Sequence, residues 1–144
     1  MNIPRKKYLD RLIAHKHNKR IKIITGVRRC GKSYLLFNIF KNHLTESGIT
    51  SSQIIEIQLE NRLNKDLRDP DRCLKHIIDK IKDKKQYYLL IDEIQLMPEF
   101  EDVLNSCLLI DNLDTYVTGS NSKFLSKDII TTFRGRGDEL YLRP

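Results

Sequence analysis

The 144-residue sequence has no tryptophan and little cysteine, proline or glycine, with three, four and six residues respectively. Cys30, Cys73 and Cys107 are odd in number and far apart, which argues against a disulfide framework and against a zinc site. The sequence also lacks a low-complexity tract, an internal repeat and an apolar run long enough to cross a membrane. We therefore expect one globular domain over 1–144, with reduced cysteines.

The two ends of the sequence carry separate information. The N-terminal stretch "MNIPRKKYLDRLIAHKHNKR" is basic and has neither the apolar core nor the cleavage site of a secretory signal. We therefore expect a cytoplasmic protein without a membrane partner.

At the other end, "LYLRP" follows directly on the last predicted strand, and no further helix is present to cover it. This pattern predicts a domain that is truncated at its C-terminus.

The positive charge is concentrated at the start of the chain. The formal net charge is +7, but residues 1–33 contain 11 Lys or Arg and one acidic residue, a net charge of +10. The rest of the chain is net −3. A basic N-terminal third is typical of a surface for DNA or for an acidic protein partner. It is also compatible with a solvated helix followed by the cations of a phosphate site, and the sequence leaves both interpretations open.

Short apolar runs alternate with segments of helical period, which predicts an α/β chain with a mainly parallel sheet. The run "YYLLI" is continuous and β-type, as expected of a central strand that is buried on both faces. Five strands are predicted, at 21–25, 54–59, 87–91, 115–119 and 139–142.

Four helices are predicted from capping and periodicity. One begins near Pro4, and one extends from Lys32 to a C-terminal cap at Gly48. A third follows the Asp69 cap, and a fourth is expected to start at Pro98. The apolar face of the third helix is predicted to consist of Leu74, Ile77, Ile78 and Ile81.

The segment "GVRRCGKS" at 26–33 matches the phosphate-binding pattern G-x-x-x-x-G-K-[ST] at every fixed position, between a strand and a helix. Glycines allow backbone N–H groups to converge on phosphate oxygens, and the helix N-terminus adds partial positive charge. Lys32 is expected to reach the β- and γ-phosphates, and Ser33 to bind Mg²⁺. The predicted nucleotide-binding residues are Gly26, Val27, Arg28, Arg29, Cys30, Gly31, Lys32, Ser33 and Tyr34.

A pair of acidic residues ends the most apolar strand. Asp92 and Glu93 follow "YYLLI", so both should emerge at the carboxyl edge of the sheet, where open α/β folds bind their ligands. Asp92 is the second predicted Mg²⁺ ligand. Glu93 is the predicted general base, which accepts a proton from the attacking water.

Polar and basic residues further along complete the predicted catalytic set. Asn121, with Ser120 as the second choice, follows the fourth strand and is expected to sense the γ-phosphate or to orient the water. A turn is the alternative interpretation of this Gly-Ser-Asn segment. Arg134 and Arg136 are candidates for a cationic finger, supplied within the chain or by a neighbouring subunit.

The segments "IITGVRRCGKSYLL", "YYLLIDEIQLMPEFEDVLN" and "VTGSNSKFLS", followed by "FRGRGDEL", together resemble a prokaryotic family of predicted AAA+-type ATPases. The resemblance implies a P-loop NTPase fold of the AAA+ type, a three-layer α/β sandwich around a mainly parallel five-stranded sheet. In such ATPases the fourth strand lies between the phosphate-loop strand and the strand that carries the acidic pair. It also implies ATP and Mg²⁺ as cofactors and a longer protein with a C-terminal domain. Tyr34 departs from the pattern, because such loops usually have a small residue after the serine or threonine.

Two functions follow as expectations. The first is Mg-dependent ATP binding and hydrolysis coupled to a C-terminal partner domain, with a homo-oligomer as one possible assembly. The alternative is a nucleotide-gated module that binds DNA or protein through the basic N-terminal third and turns over little ATP itself. Salt-dependent DNA affinity that changes with nucleotide would separate the two.

Overall fold

A computed structural model describes residues 5–26, 31–120 and 136–142 of the chain. In this part of the chain five strands form one sheet in the order β2-β3-β4-β1-β5, and all neighbouring strands are parallel. The predicted five-stranded α/β sheet is therefore confirmed, including the position of the fourth strand between the first and the third. The strands are β1 (Ile21–Thr25), β2 (Ile54–Gln58), β3 (Tyr87–Asp92), β4 (Leu113–Gly119) and β5 (Gly137–Tyr141).

Helices cover both faces of the sheet and produce three layers. One face is covered by α1 (Arg5–Ala14) and by a helical run that consists of α2 (Lys32–Tyr34), a π-helical segment (Leu35–Phe40) and α3 (Lys41–Glu46). The other face is covered by α4 (Pro70–Lys80) and α5 (Phe100–Leu108). Among the described residues, no helix has the length and apolar character needed to cross a bilayer.

Each face of the sheet has its own apolar core. Leu36, Phe40 and Leu44 pack with the strands on the first face. Ile77 and Leu104 belong to the core on the second face. Every residue of β3 is buried, as its continuous apolar sequence predicts. The two cores hold the five strands together in one sheet.

Two helix predictions are wrong in detail. On α4 the buried residues are Cys73 and Ile77, an i, i+4 pair, and Ile78 lies on the flank of this stripe with 52% of its surface exposed. The fourth predicted helix begins at Phe100 rather than at Pro98, because Glu99 takes a left-handed conformation (φ 57°, ψ 31°) that no α-helix contains. Capping signals place a helix in the sequence, but packing decides its first residue and its buried face.

A buried polar network crosses the amino edge of the sheet. The Lys22 ammonium lies 2.5 Å from the Asp114 carboxylate, which also accepts hydrogen bonds from the Tyr116 hydroxyl at 2.6 Å and the His17 N–H at 3.0 Å. His17 in turn contacts the Tyr88 hydroxyl at 2.6 Å. Burial lowers the pKa of Lys22, and the neighbouring Asp114 opposes that shift. The network joins the turn after α1 to three strands.

Candidate nucleotide-binding site

The phosphate loop begins where β1 ends and finishes where α2 begins. Gly26 follows Thr25 with φ 148°, and Gly31 precedes α2 with φ 92° and ψ 14°. A φ of 92° is one that L-residues with a side chain rarely adopt, so the second fixed glycine of the pattern is required by the backbone. Val27, Arg28, Arg29 and Cys30 lie outside the described residues.

The residues after Gly31 form the first turn of α2. The Leu35 N–H donates to the Gly31 carbonyl at 2.9 Å, the first bond of the helical run. Lys32 is only 3% exposed, Ser33 is half-buried, and Tyr34 is 48% exposed. The bulk of Tyr34 therefore lies partly in solvent, and the helix tolerates it. The start of a helix favours a bound anion, because its first N–H groups have no partner within the helix itself.

Strand register brings the carboxylate pair to the same edge as the loop. Thr25 of β1 is opposite Gly119 of β4, and Ile91 of β3 is opposite Val117 of β4. The backbone N–H of Glu93 donates to the Thr118 hydroxyl at 2.9 Å, which fixes the end of β3 against β4. Since all strands are parallel, the phosphate loop and the acidic pair both leave the sheet at its carboxyl edge.

Asp92 is a buried carboxylate at the end of β3, with 6% of its surface exposed. Its Oδ1 accepts a hydrogen bond from the Glu60 N–H at 3.5 Å. The pKa of Asp92 is raised to about 6, mainly by burial; the N–H groups of Leu59 and Glu60 oppose the rise, and the nearby charges of Glu93 and Glu60 add to it. Mg²⁺ prefers oxygen ligands, so the Asp92 carboxylate and the Ser33 hydroxyl have the chemistry to hold it.

Glu93 is held at both its backbone and its side chain. Its backbone is left-handed (φ 46°, ψ 52°), which is unusual for a residue with a side chain. Its carboxylate Oε1 accepts hydrogen bonds from the Gln95 amide at 2.6 Å and from the Ser120 hydroxyl. Only 7% of the residue is exposed. A carboxylate held in this way has the fixed orientation that a general base needs.

The remaining predicted residues fall in three different places. Ser120 contacts the predicted base directly, while Asn121 and Arg134 lie outside the described residues. Arg136 is exposed, and its carbonyl accepts the Ile21 N–H at 2.7 Å, so it lies beside the first residue of β1. That position is the amino edge of the sheet, opposite the loop and the acidic pair. Arg136 of this chain therefore lies outside the candidate site.

Three contacts at this edge were not predicted. Gln95 and Thr118 both bond Glu93, and Glu139 of β5 accepts the Thr25 hydroxyl at 2.5 Å just before the loop. Thr118 and Gln95 stand beside motif residues in "VTGS" and "DEIQ", which is the only signal the sequence offers. Thr118 reaches Glu93 because β4 pairs with β3, and Gln95 reaches it because the chain turns after β3. Neither contact can be read from the sequence of a single strand.

Comparison with known proteins identifies the family and the fold of the chain. Residues 18–144 match a protein family described as an AAA domain. The chain belongs to this family. The AAA domain is 34% identical over 143 residues to an uncharacterized protein of Haemophilus influenzae and 36% identical over 125 residues to an uncharacterized protein of Methanocaldococcus jannaschii. The matches cover 99% and 87% of this chain but only 36% and 26% of those relatives.

Solved structures share the fold of this AAA domain. It resembles a DNA polymerase III gamma subunit-related protein of Thermotoga maritima, with a TM-score of 0.64 and 13% identity over 94% of this chain and 44% of that one. It also resembles PCH-2 of C. elegans, with a TM-score of 0.63 and 15% identity over 96% and 39%. A structure of Drosophila ORC bound to DNA matches with a TM-score of 0.63 and 9% identity over 98% and 90%. The predicted AAA+-type P-loop fold is confirmed.

Proposed function

We propose that this AAA domain binds Mg-ATP and hydrolyses it to ADP and phosphate. The observation that carries the proposal is the presence of two motifs at one sheet edge. Lys32 is buried at the start of α2, just beyond the end of β1, and Asp92 ends β3, two strands from β1, with Glu93 directly after it. Phosphoryl transfer needs such a combination, because catalysis depends on positioning and on charge stabilisation. Membership of the AAA domain family supports the same reaction class.

Each residue has a defined task in this proposal. The loop residues 26–34 surround the phosphates with backbone N–H groups, and Lys32 pairs with the β- and γ-phosphates. Ser33 and Asp92 hold Mg²⁺, which when bound neutralises phosphate charge. Glu93 accepts the proton of the attacking water. Asn121 or Ser120 orients that water, and Arg134 or Arg136 contributes a cation.

The position of Arg136 favours an arginine supplied by a second copy. Arg136 lies at the amino edge of its own sheet, while Glu93 lies at the carboxyl edge. A cationic finger can act in trans across a subunit boundary. We therefore include a homo-oligomer in the proposal, with the finger of one copy near the phosphates of the next. This chain spans 36% and 26% of its two relatives, so a coupled C-terminal domain belongs to the proposal as well. We also include a cytoplasmic location in the proposal.

Phosphate release from Mg-ATP tests the proposed reaction. The wild-type chain and the Glu93→Gln variant are compared at equal concentration, and turnover should fall by about 100-fold or more in the variant. Glu99→Gln is a matched control, since Glu99 is also left-handed but exposed and outside the site. Equal turnover in the wild type and Glu93→Gln would refute the role of Glu93 as the base.

A second function is favoured by the charge on α1. Its exposed residues include Lys6, Lys7 and Arg11, with Asp10 as the acidic exception. Clustered cations bind nucleic-acid phosphates and release counterions. A nucleotide-gated DNA module should therefore bind a duplex with an affinity that falls steeply with salt and changes when Mg-ATP is added.

The exposed α1 cations provide the variant that tests this second function. Replacing Lys6, Lys7 and Arg11 together by alanine should weaken binding of a duplex and reduce its salt dependence. Lys84 and Lys85, which are also exposed, provide the control pair. An unchanged salt slope in the α1 variant, or an equal loss in the control, would contradict a DNA surface on α1.

A further inference from the structure

We propose that Gln95 is a positioning residue that orients the Glu93 carboxylate and assigns the base function to one oxygen, Oε2. The inference rests on the proposed ATPase function and deepens it. Gln95 lies two residues after Glu93, in the short 3₁₀ turn Ile94–Leu96 that follows β3. Its amide acts on the base rather than on the nucleotide.

The first argument is the number of donors on one carboxylate oxygen. Glu93 Oε1 accepts the Gln95 Nε2 hydrogen bond at 2.6 Å and also the Ser120 hydroxyl. A carboxylate oxygen has two lone pairs that accept hydrogen bonds in its plane. Both are occupied on Oε1, so the second oxygen is the one that remains for a water proton.

The second argument is the orientation of the Gln95 amide. Its carbonyl oxygen is buried, and within 5–26, 31–120 and 136–142 it has no hydrogen-bond partner. Buried polar atoms are nearly always paired, so an unpaired one calls for an explanation. Turning the amide over would place its oxygen against the carboxylate of Glu93. The N–H bond to Glu93 therefore determines the amide orientation, even though the carbonyl is left unpaired.

The third argument is the backbone of Glu93. Its left-handed conformation is combined with the N–H hydrogen bond to the Thr118 hydroxyl at 2.9 Å. Strained residues of this kind occur where the surrounding structure fixes them, often at functional sites. With the backbone held by β4 and Oε1 held by two side-chain donors, Oε2 has one defined position.

The proposed chemical step is the attack of one water molecule on the γ-phosphate of ATP. The water oxygen forms a bond with the γ-phosphorus, and the bond from that phosphorus to the bridging oxygen breaks, so that ADP leaves with the bonding electron pair. Glu93 Oε2 takes the proton of the water. Gln95 exchanges no proton and acts only by holding the carboxylate.

Steady-state phosphate release over a series of ATP concentrations tests the inference. Gln95→Ala should lower kcat by about tenfold or more with KM within about twofold, because orientation of the base matters only in the chemical step. Gln95→Glu should lower kcat further, because it places a second carboxylate beside the first. In a Glu93→Gln background, Gln95→Ala should cause no additional loss of kcat, because Gln95 acts only through the Glu93 carboxylate, which this background lacks.

Gln86→Ala is the matched control. Gln86 is also a half-buried glutamine whose amide donates to its neighbours, but it lies at the amino edge of the sheet before β3. This variant should keep the wild-type kcat.

Three results would overturn the inference: a kcat of Gln95→Ala within twofold of the wild type, a rise in KM that accounts for the whole loss, or an additive loss in the Glu93→Gln background. An inactive wild-type chain would instead remove the proposed ATPase, and the inference with it. Failure of the Gln95 inference and failure of the ATPase proposal can be distinguished, because the three results against Gln95 can be obtained only with an active wild-type chain.

Discussion

At the scale of single residues, Lys32 is charged but only 3% exposed. A lysine is rarely this buried unless an anion or a polar partner compensates its charge. Its place at the first residue of α2 puts it next to the helix N-terminus, where anions are also favoured. The proposal above therefore pairs this ammonium group with the phosphates of ATP.

Replacing Lys32 by alanine should abolish the stabilisation of the chain by Mg-ATP. At a ligand concentration of about 100 times Kd, the wild type should gain about 2.7 kcal/mol of unfolding free energy. The variant should gain almost none, as measured by thermal unfolding with and without Mg-ATP. Lys80→Ala, at an exposed lysine of α4, is the control that should keep the full gain. A Lys32→Ala protein that is still stabilised would place the nucleotide elsewhere.

The raised pKa of Asp92 predicts that the stability of the chain depends on pH. Its pKa in the folded chain is about 6, above the ordinary value of 3.8. Folding therefore favours the protonated form. The resulting stability is fully present below pH 3.8 and is lost as the pH rises through about 6. Mg²⁺ requires the ionised form, so bound metal should reverse the preference.

In nucleotide-free chain with EDTA, Asp92→Asn should raise the unfolding free energy at pH 7.5 by about 1–3 kcal/mol. At pH 4 the gain should nearly disappear, because the wild-type carboxyl is then protonated. Urea unfolding at the two pH values measures both quantities. Asp71→Asn, on the exposed first turn of α4, should show no such difference. A gain that is independent of pH would contradict the raised pKa.

At the scale of elements, a buried ion pair joins β1 to β4 at the edge opposite the site. Lys22 is in the middle of an apolar strand sequence, and the sequence alone gives no reason to expect it to be buried. The structure supplies Asp114 as its partner, and the Tyr116 hydroxyl and the His17 N–H bind the same carboxylate. A fully partnered pair of this kind fixes register between elements rather than adding much net stability.

The two partners of this pair should not be equivalent. Asp114→Asn removes the nearest counter-charge of a buried ammonium, which keeps one acceptor, Asn18 Oδ1 at 3.1 Å, and should cost about 3–5 kcal/mol of unfolding free energy. Lys22→Met should cost less, because Asp114 keeps two hydrogen-bond donors. Urea unfolding of the two variants beside Asp111→Asn, an exposed control, gives the comparison. Equal losses in Asp114→Asn and Lys22→Met would show that the extra donors contribute nothing.

At the scale of the whole molecule, the all-parallel sheet separates two edges with different tasks. The carboxyl edge holds the start of the phosphate loop together with Asp92 and Glu93, while the amino edge holds the Lys22 network and Arg136. One copy of the chain therefore does not bring Arg136 near its own Glu93. In the proposal above, an Arg136 finger therefore acts across a subunit boundary.

Mixing two inactive variants should restore turnover if the finger acts in trans. The Arg134→Ala/Arg136→Ala variant keeps the base, and Glu93→Gln keeps the arginines. Each should release little phosphate alone. A mixture should recover a substantial fraction of the wild-type rate, because one pairing combines an intact base with an intact arginine. A mixture no faster than its components would contradict a finger in trans.

Much of this architecture was predictable because it depends on local chemistry. The pattern at 26–33 requires glycine where the backbone has positive φ, and Gly31 has φ 92°. The apolar run before Asp92 requires a buried central strand, and β3 is buried throughout. The position of β4 between β1 and β3 followed from the resemblance to AAA+-type proteins and is confirmed. The phosphate loop and the buried strand could be predicted because phosphate binding and strand burial each require particular residue types at neighbouring positions.

The fold class, the phosphate loop pattern and the acidic pair could be read from the amino-acid sequence, since each depends on residues adjacent along the chain. Tertiary structure alone decided which side chains hold Glu93, that Lys22 is paired with Asp114, that Ile78 faces outward and that Arg136 lies at the far edge. The physical reason is that such contacts join residues distant in sequence. Strand register and helix packing must be settled before those residues meet.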